Sequence, residues 1–108
     1  MKIIIIWQND FQLLTNTMEK LINDNQCFLF TVLCGGTDDK NIYSSLGYQW
    51  AKINGAPIEL LIEPNLEKLL DKIVSSADYL VCYNNGNQIV KRLIMKFKIA
   101  GKHGTVIT

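Results

Sequence analysis

Tyr79-Leu80-Val81-Cys82-Tyr83-Asn84-Asn85-Gly86-Asn87-Gln88, followed by the run from Ile89 to Ala100, decides the fold. The uncharged stretch Tyr79 to Tyr83 reads as a strand buried on both faces. Amides and one glycine follow, which is turn composition. From Ile89 the apolar residues recur at helical spacing, with Lys91, Arg92, Lys96 and Lys98 between them. In an open α/β sheet, a turn at the carboxyl end of a strand is where ligands bind. The helix after it presents free N–H groups to an anion.

The same alternation of strand and helix runs outward from this stretch. Lys2 to Trp7 is a β-branched run of buried-strand type. Asn9 or Asp10 then caps a helix carrying Phe11, Leu14, Met18, Leu21 and Ile22 on one face. Cys27 to Leu33 reads as the second strand, ended by Cys34-Gly35-Gly36-Thr37-Asp38-Asp39. Asn41 is the expected cap of a helix that turns Ile42, Leu46, Trp50 and Ile53 inward and stops at Asn54-Gly55. Ile58 to Ile62 is the third strand, and Pro64-Asn65 opens the next helix. Tyr79 to Tyr83 is the fourth strand, the last helix ends at Gly101, and Thr105 to Ile107 forms a fifth.

Strict alternation with short connections means right-handed crossovers, a parallel sheet and helices on both faces. The expected architecture is a single α/β domain over residues 1–108, a three-layer α/β/α sandwich around five parallel strands. Two strand orders fit, 3-2-1-4-5 (Rossmann-like) and 2-1-3-4-5 (flavodoxin-like), and the first is favoured. It places Trp7-Gln8-Asn9 beside Asn84 to Gln88, with Gly35-Gly36 one strand away.

A chain of 108 residues buries one core. Its hydrophobic fraction of 48%, with 19% charged residues, excludes a disordered protein, and a formal net charge of +1 gives no signal for nucleic acid. No apolar run approaches the roughly 20 residues of a membrane span. The short run after Lys2 lacks the length and cleavage site of a signal peptide. A cytoplasmic protein is expected. Three cysteines, Cys27, Cys34 and Cys82, without C-x-x-C spacing, read as buried free thiols of a reducing compartment. A nucleophilic Cys34 would lack a nearby histidine. Beyond Asp78 the charges are Lys91, Arg92, Lys96, Lys98 and Lys102, with no acid near them in sequence.

The candidate ligand-binding residues are those of the expected carboxyl edge: Trp7, Gln8, Asn9, Gly35, Gly36, Asn84, Asn85, Gly86, Asn87, Gln88, Lys91 and Arg92. Amides both donate and accept, which suits a sugar, a base edge or a phosphate oxygen. Asn-Gly is equally good plain turn chemistry. Cations in a first helical turn cost about 0.3–1 kcal/mol each unless an anion offsets them. Trp7 either stacks a base or plugs the site. Gly35-Gly36 lets a backbone approach a ligand or serves a loop, without the rest of a dinucleotide or P-loop fingerprint. Asp38 and Asp39 lack the third ligand a cation needs and read as a solvated turn. His103 has no partner in sequence. Met95, Lys98 and Ile99 form an outward strip that suits a homodimer face better than a membrane.

Several stretches together resemble the SLOG superfamily, the Rossmann-like group of the DNA-processing protein and the LOG phosphoribohydrolases. The likeness is to its small, divergent bacterial and phage branch. They are Cys34-Gly35-Gly36, the run from Leu46 to Glu59 with its Trp50-Ala51 pair and Gly55-Ala56-Pro57 strand entry, Ser76 to Tyr83 with its Ala77-Asp78 pair, and Ile99-Ala100-Gly101-Lys102 before Thr105-Val106-Ile107. The resemblance implies a nucleotide or nucleotide-derivative ligand. Trp7-Gln8-Asn9 stands where the family has Gly-Ser-Arg, and Asn87-Gln88 replaces its Gly-Thr phosphate turn. The catalytic glutamate has no counterpart between Ile89 and Lys98. A nucleotide-binding protein with no assigned catalytic residue, metal or cofactor is therefore expected. The alternatives are a phage or mobile-element interaction protein with a degenerate nucleotide site, acting on a host protein, and an N-glycosidic hydrolase using Asp10 or Asp38.

Overall fold

The computed structural model describes residues 1–8, 10–25, 29–84 and 86–107. Its elements in chain order are β1 (Lys2–Ile6), α1 (Phe11–Asn25), β2 (Thr31–Gly36), α2 (Asp39–Tyr43), α3 (Leu46–Ile53), β3 (Ile58–Ile62), α4 (Leu66–Ser76), β4 (Tyr79–Tyr83), α5 (Gln88–Ile99) and β5 (His103–Ile107). The five strands form one parallel sheet in the order β3-β2-β1-β4-β5. The Rossmann-like order is therefore the observed one.

Alternation along the strands builds two cores. Ile3, Ile5, Val32, Cys34 and Val81 point to the side of α1, α2 and α3, where Leu14, Met18, Ile42 and Trp50 meet them. Ile4, Leu33, Leu80 and Cys82 point to the side of α4 and α5, against Leu70, Ile73, Leu93 and Phe97. β1 and β4 lie in the middle with both faces covered, which is why both read as unbroken apolar runs. Full burial of a side chain of this kind contributes about 1.5–3 kcal/mol.

β2 departs from the sequence expectation. Its paired part runs from Thr31 to Gly36, so the glycines expected in a turn are its last two residues, opposite Leu61 and Ile62 of β3. The expected start at Cys27 lies outside the described residues. The glycines are small because helices press on them from both faces. A Cβ on Gly35 would sit 3.1 Å from Ile73 Cδ1, and one on Gly36 would sit 2.8 Å from Ile42 Cγ1.

The single helix expected behind an Asn41 cap is two. Asp38 caps α2, accepting from Asn41 N–H at 2.7 Å, and Ser45 caps α3, accepting from Tyr48 N–H at 3.3 Å. The break comes from adjacent serines whose hydroxyls turn back onto the chain, Ser44 Oγ to Asn41 O and Ser45 Oγ to Ile42 O. The helical phase restarts at Ser45, and Gly47, Trp50 and Ala51 take the inner face. Ile53, expected inside, is 72% exposed.

Three of the C-terminal cations, Arg92, Lys96 and Lys102, are met by groups of α4 and its end, which the spacing in sequence concealed. Arg92 pairs with Glu67, and Lys96 Nζ lies 2.8 Å from Asp71 Oδ1. Lys102 Nζ donates to Val74 O and, at 2.8 Å, to Ala77 O, which satisfies carbonyls at the end of α4.

Candidate functional site at the carboxyl edge of the sheet

In this strand order the crossover direction reverses between β1 and β4, and the crevice outside their carboxyl ends is the topological switch point. The register Ile6↔Cys82 makes the next residues, Trp7 and Tyr83, neighbours at that edge. Their rings meet edge to face, with centroids 5.5 Å apart. Trp7 Nε1 donates to Asp10 O at 3.0 Å, which fixes the indole. Asp10 in turn opens α1: its Oδ1 accepts from Leu13 N–H at 2.9 Å and its carbonyl from Leu14 N–H at 3.0 Å.

Trp7 divides the edge into two crevices. One, of about 130 Å³, lies on the β4 side and is lined by Trp7, Gln8, Asp10, Leu13 and Tyr83. The other, of about 100 Å³, lies on the β2 side, with Trp7, Cys34, Gly35, Ser45, Gly47 and Tyr48 in its wall. Gly47 lets α3 settle onto β1, since a Cβ there would be 3.0 Å from Ile5 O. Each crevice is smaller than the roughly 300–1,000 Å³ of an ordinary ligand pocket.

The amide turn closes the edge beyond Tyr83. Asn84 N–H donates to Ile107 O at 2.7 Å, and Asn84 Oδ1 accepts from Gly86 N–H at 3.2 Å. Gly86 has φ +87°, the left-handed conformation that favours glycine. Asn87 caps α5, its Oδ1 accepting from Ile89 N–H at 2.8 Å. Gln88 is the exposed first residue of that helix, whose first turn carries no acid.

The candidate residues thus fall into groups. Trp7 and Gln8 line the first crevice, and Trp7 and Gly35 line the second. Asn84, Gly86, Asn87 and Gln88 form the connection from β4 to α5 at the same edge. Gly36 is packed under Ile42. Arg92 turns away to α4, and Lys91 is exposed. Asn9 and Asn85 lie outside the described residues. The wall residues that sequence reasoning passed over are Tyr83, Leu13, Ser45, Gly47 and Tyr48. Tyr83 was within reach, because it closes the β4 run that the expected strand order sets beside Trp7.

Among the described residues Asp10 is the one carboxylate lining the first crevice, and it serves as a helix cap. Burial pushes the thiol of Cys34, beside the second crevice, up to about 11. It is a protonated thiol at neutral pH rather than a nucleophile. Cys82 is likewise buried and pushed up to about 11. Asp38 holds Asn41 N–H and Asp39 Oδ1 accepts from Lys40 N–H at 2.9 Å, so both are occupied with the start of α2. His103 is exposed at the first position of β5, and Tyr79 OH shares a 2.7 Å hydrogen bond with Thr105 Oγ1. Indole, phenol and amide groups can stack and hydrogen-bond a polar planar molecule.

Compared with family models, curated proteins and solved structures, the chain matches none.

Proposed function

We propose that the protein binds a small nucleotide-type ligand, a nucleotide or a derivative such as an ADP-ribose compound, across the carboxyl edge at β1 and β4. The proposal keeps the SLOG-like reading of the motifs. One observation carries it: Trp7 is a single side chain standing between two crevices of about 130 and 100 Å³ at the switch point. Rotation of the indole would let one ligand reach both crevices. The indole and Tyr83 then offer faces for stacking, and Gln8 and the amides Asn84, Asn87 and Gln88 offer hydrogen bonds for ribose or phosphate. Arg92 stays with Glu67, and Lys91 is exposed on α5.

The measurement is thermal denaturation in the presence of a panel of nucleotides and ADP-ribose derivatives. A ligand at 100 times its Kd stabilises by about 2.7 kcal/mol. A rise in Tm with at least one of them, at millimolar concentration, is expected. No rise with any of them contradicts the reading.

A second reading has its own support. The indole is held by Asp10 O and Tyr83, and Met95 and Ile99 are 60% and 80% exposed on α5. These suit an interaction protein, of phage or mobile-element type, whose nucleotide site is closed for good. In that case Trp7→Ala leaves the protein without nucleotide affinity.

A further inference from the structure

The two edges of the sheet are protected differently. β3 follows Pro57 and carries Glu59, whose Oε2 lies 2.8 Å from Lys2 Nζ, and Glu63 just beyond it lies 2.6 Å from Lys72 Nζ. Charge and proline are the usual means of keeping an edge strand from pairing with another chain. β5, with the sequence His103-Gly104-Thr105-Val106-Ile107, has neither a proline nor a Lys, Arg, Asp or Glu. Among the described residues no strand lies beyond it. Asn84 N–H donates to Ile107 O, so Ile107, Thr105 and His103 turn their peptide groups toward β4. Gly104 and Val106 turn theirs outward, to an open edge.

The two sides of that edge differ in chemistry. On the α1 side, a cavity of about 300 Å³ lies between helix and sheet, with Lys20, Leu21, Asp24, Tyr79, Thr105 and Ile107 in its wall. On the other side α5 covers β4 and β5, while α4 covers β2 and β3. Arg92 and Lys96 face α4, and Val90, Leu93 and Phe97 face the sheet. At 100° per residue, Lys91 and Lys98 fall on the opposite shoulder of α5, above the outer edge of β5. Both are exposed, and neither has an ion-pair partner among the described residues.

Those two lysines decide what fits. A second copy pairing antiparallel through β5 would set two α5 helices side by side and bring four lysines together without an acid, which opposes self-association. An acidic segment meets them favourably. We propose that the β5 edge accepts an extended segment of a partner protein in which acidic and apolar residues alternate. Its main chain pairs with Gly104 and Val106, its carboxylates face Lys91 and Lys98, and its apolar side chains enter the cavity beside Tyr79 and Ile107. This is strand addition, in which main-chain bonds supply affinity and alternate side chains supply specificity. It uses a surface apart from the Trp7 crevices.

The test titrates the full chain into a fluorescently labelled peptide of four Val-Glu repeats, followed by anisotropy, with a Val-Lys peptide as control. The acidic peptide is expected to bind at least tenfold more tightly than the basic one, and more weakly as salt rises. Val106→Pro removes an outward N–H and no bond to β4, and is expected to abolish binding. Because proline also fixes φ, the charge reversal Lys91→Glu with Lys98→Glu, at exposed helix positions, gives an independent arm. It must invert the preference between the two peptides. Absence of binding at millimolar protein overturns the proposal, as does a preference unchanged by the charge reversal. A dimer of the chain that Val106→Pro dissolves would give the edge to a second copy and overturn it equally.

Discussion

Two neighbouring strand ends at the carboxyl edge are finished in opposite ways. β2 ends in Gly35-Gly36, and the space that Gly36 leaves is taken by Ile42 of α2. β1 runs into Trp7, the bulkiest residue type available, and the space around it is only partly filled. Read as sequence, the glycines promise room for a ligand and the tryptophan promises obstruction. At Gly36 packing claims the space, while Gly35 keeps a place in the wall of a crevice. A missing side chain is room only if the protein's own core does not claim it, whereas one large side chain can leave space on either side of it.

The largest expected effect follows from the closed end. Gly36→Ala puts a methyl 2.8 Å from Ile42 Cγ1 and 3.2 Å from Asp38 O. Overpacking of this kind costs about 1–3 kcal/mol, or roughly 5–15 °C in Tm for a domain of this size. Calorimetry checks it, and the paired change Ile42→Val should recover part of the loss. An unchanged Tm would mean that the glycine is not needed for packing.

An intermediate effect concerns the buried thiols of the strands on either side of β1, Cys34 in β2 and Cys82 in β4. Both thiols titrate near 11 in the folded protein, against an ordinary value of 9.0. The folded state therefore holds its protons longer than the unfolded state. The thiols' contribution to stability is fully present below pH 9 and is lost as pH rises from about 9 through 11. Urea midpoints across that range are expected to fall, and to fall less when Cys82 is replaced by alanine. A flat profile to pH 11 contradicts the burial of both thiols.

The smallest effect is at the seam of α4 and α5. Glu67→Gln removes the partner of Arg92 at a half-exposed position, which costs less than about 1 kcal/mol. Ligand affinity at the Trp7 crevices is expected to be unaffected. A clear gain in affinity for phosphate-bearing ligands would show that a freed Arg92 reaches the edge after all.

Most of the fold was legible in the sequence because its signals are local. Asn65 and Asn87 cap their helices through their own side chains, and Gly101 ends α5 with φ +71°. β1 and β4 announce themselves as apolar runs, Ile3 to Ile6 and Tyr79 to Tyr83, because helices cover them on both faces. What escaped depends on distant partners. The glycines of β2 are explained by Ile42 and Ile73, Arg92 and Lys96 by Glu67 and Asp71, and Lys102 by the carbonyls of Val74 and Ala77. The split of α2 from α3 was written locally, in Ser44-Ser45, yet the apolar period from Ile42 to Ile53 outweighed it. The candidate site was located by strand order, while its walls came from side chains such as Tyr83 and Gly47 that matter only once register and helix docking are fixed.

The central claim is that the edge divided by Trp7 holds a nucleotide-type ligand. The most direct measurement is the two-dimensional amide and indole nitrogen–proton NMR spectrum, recorded during titration with AMP and with ADP-ribose. Saturating shifts of the Trp7 indole N–H, Gln8, Asn84 and Gly86 are expected, with the indole signal moving most as its bond to Asp10 O breaks. A spectrum that stays unchanged at millimolar ligand, or one whose shifts cluster away from β1 and β4, contradicts the account.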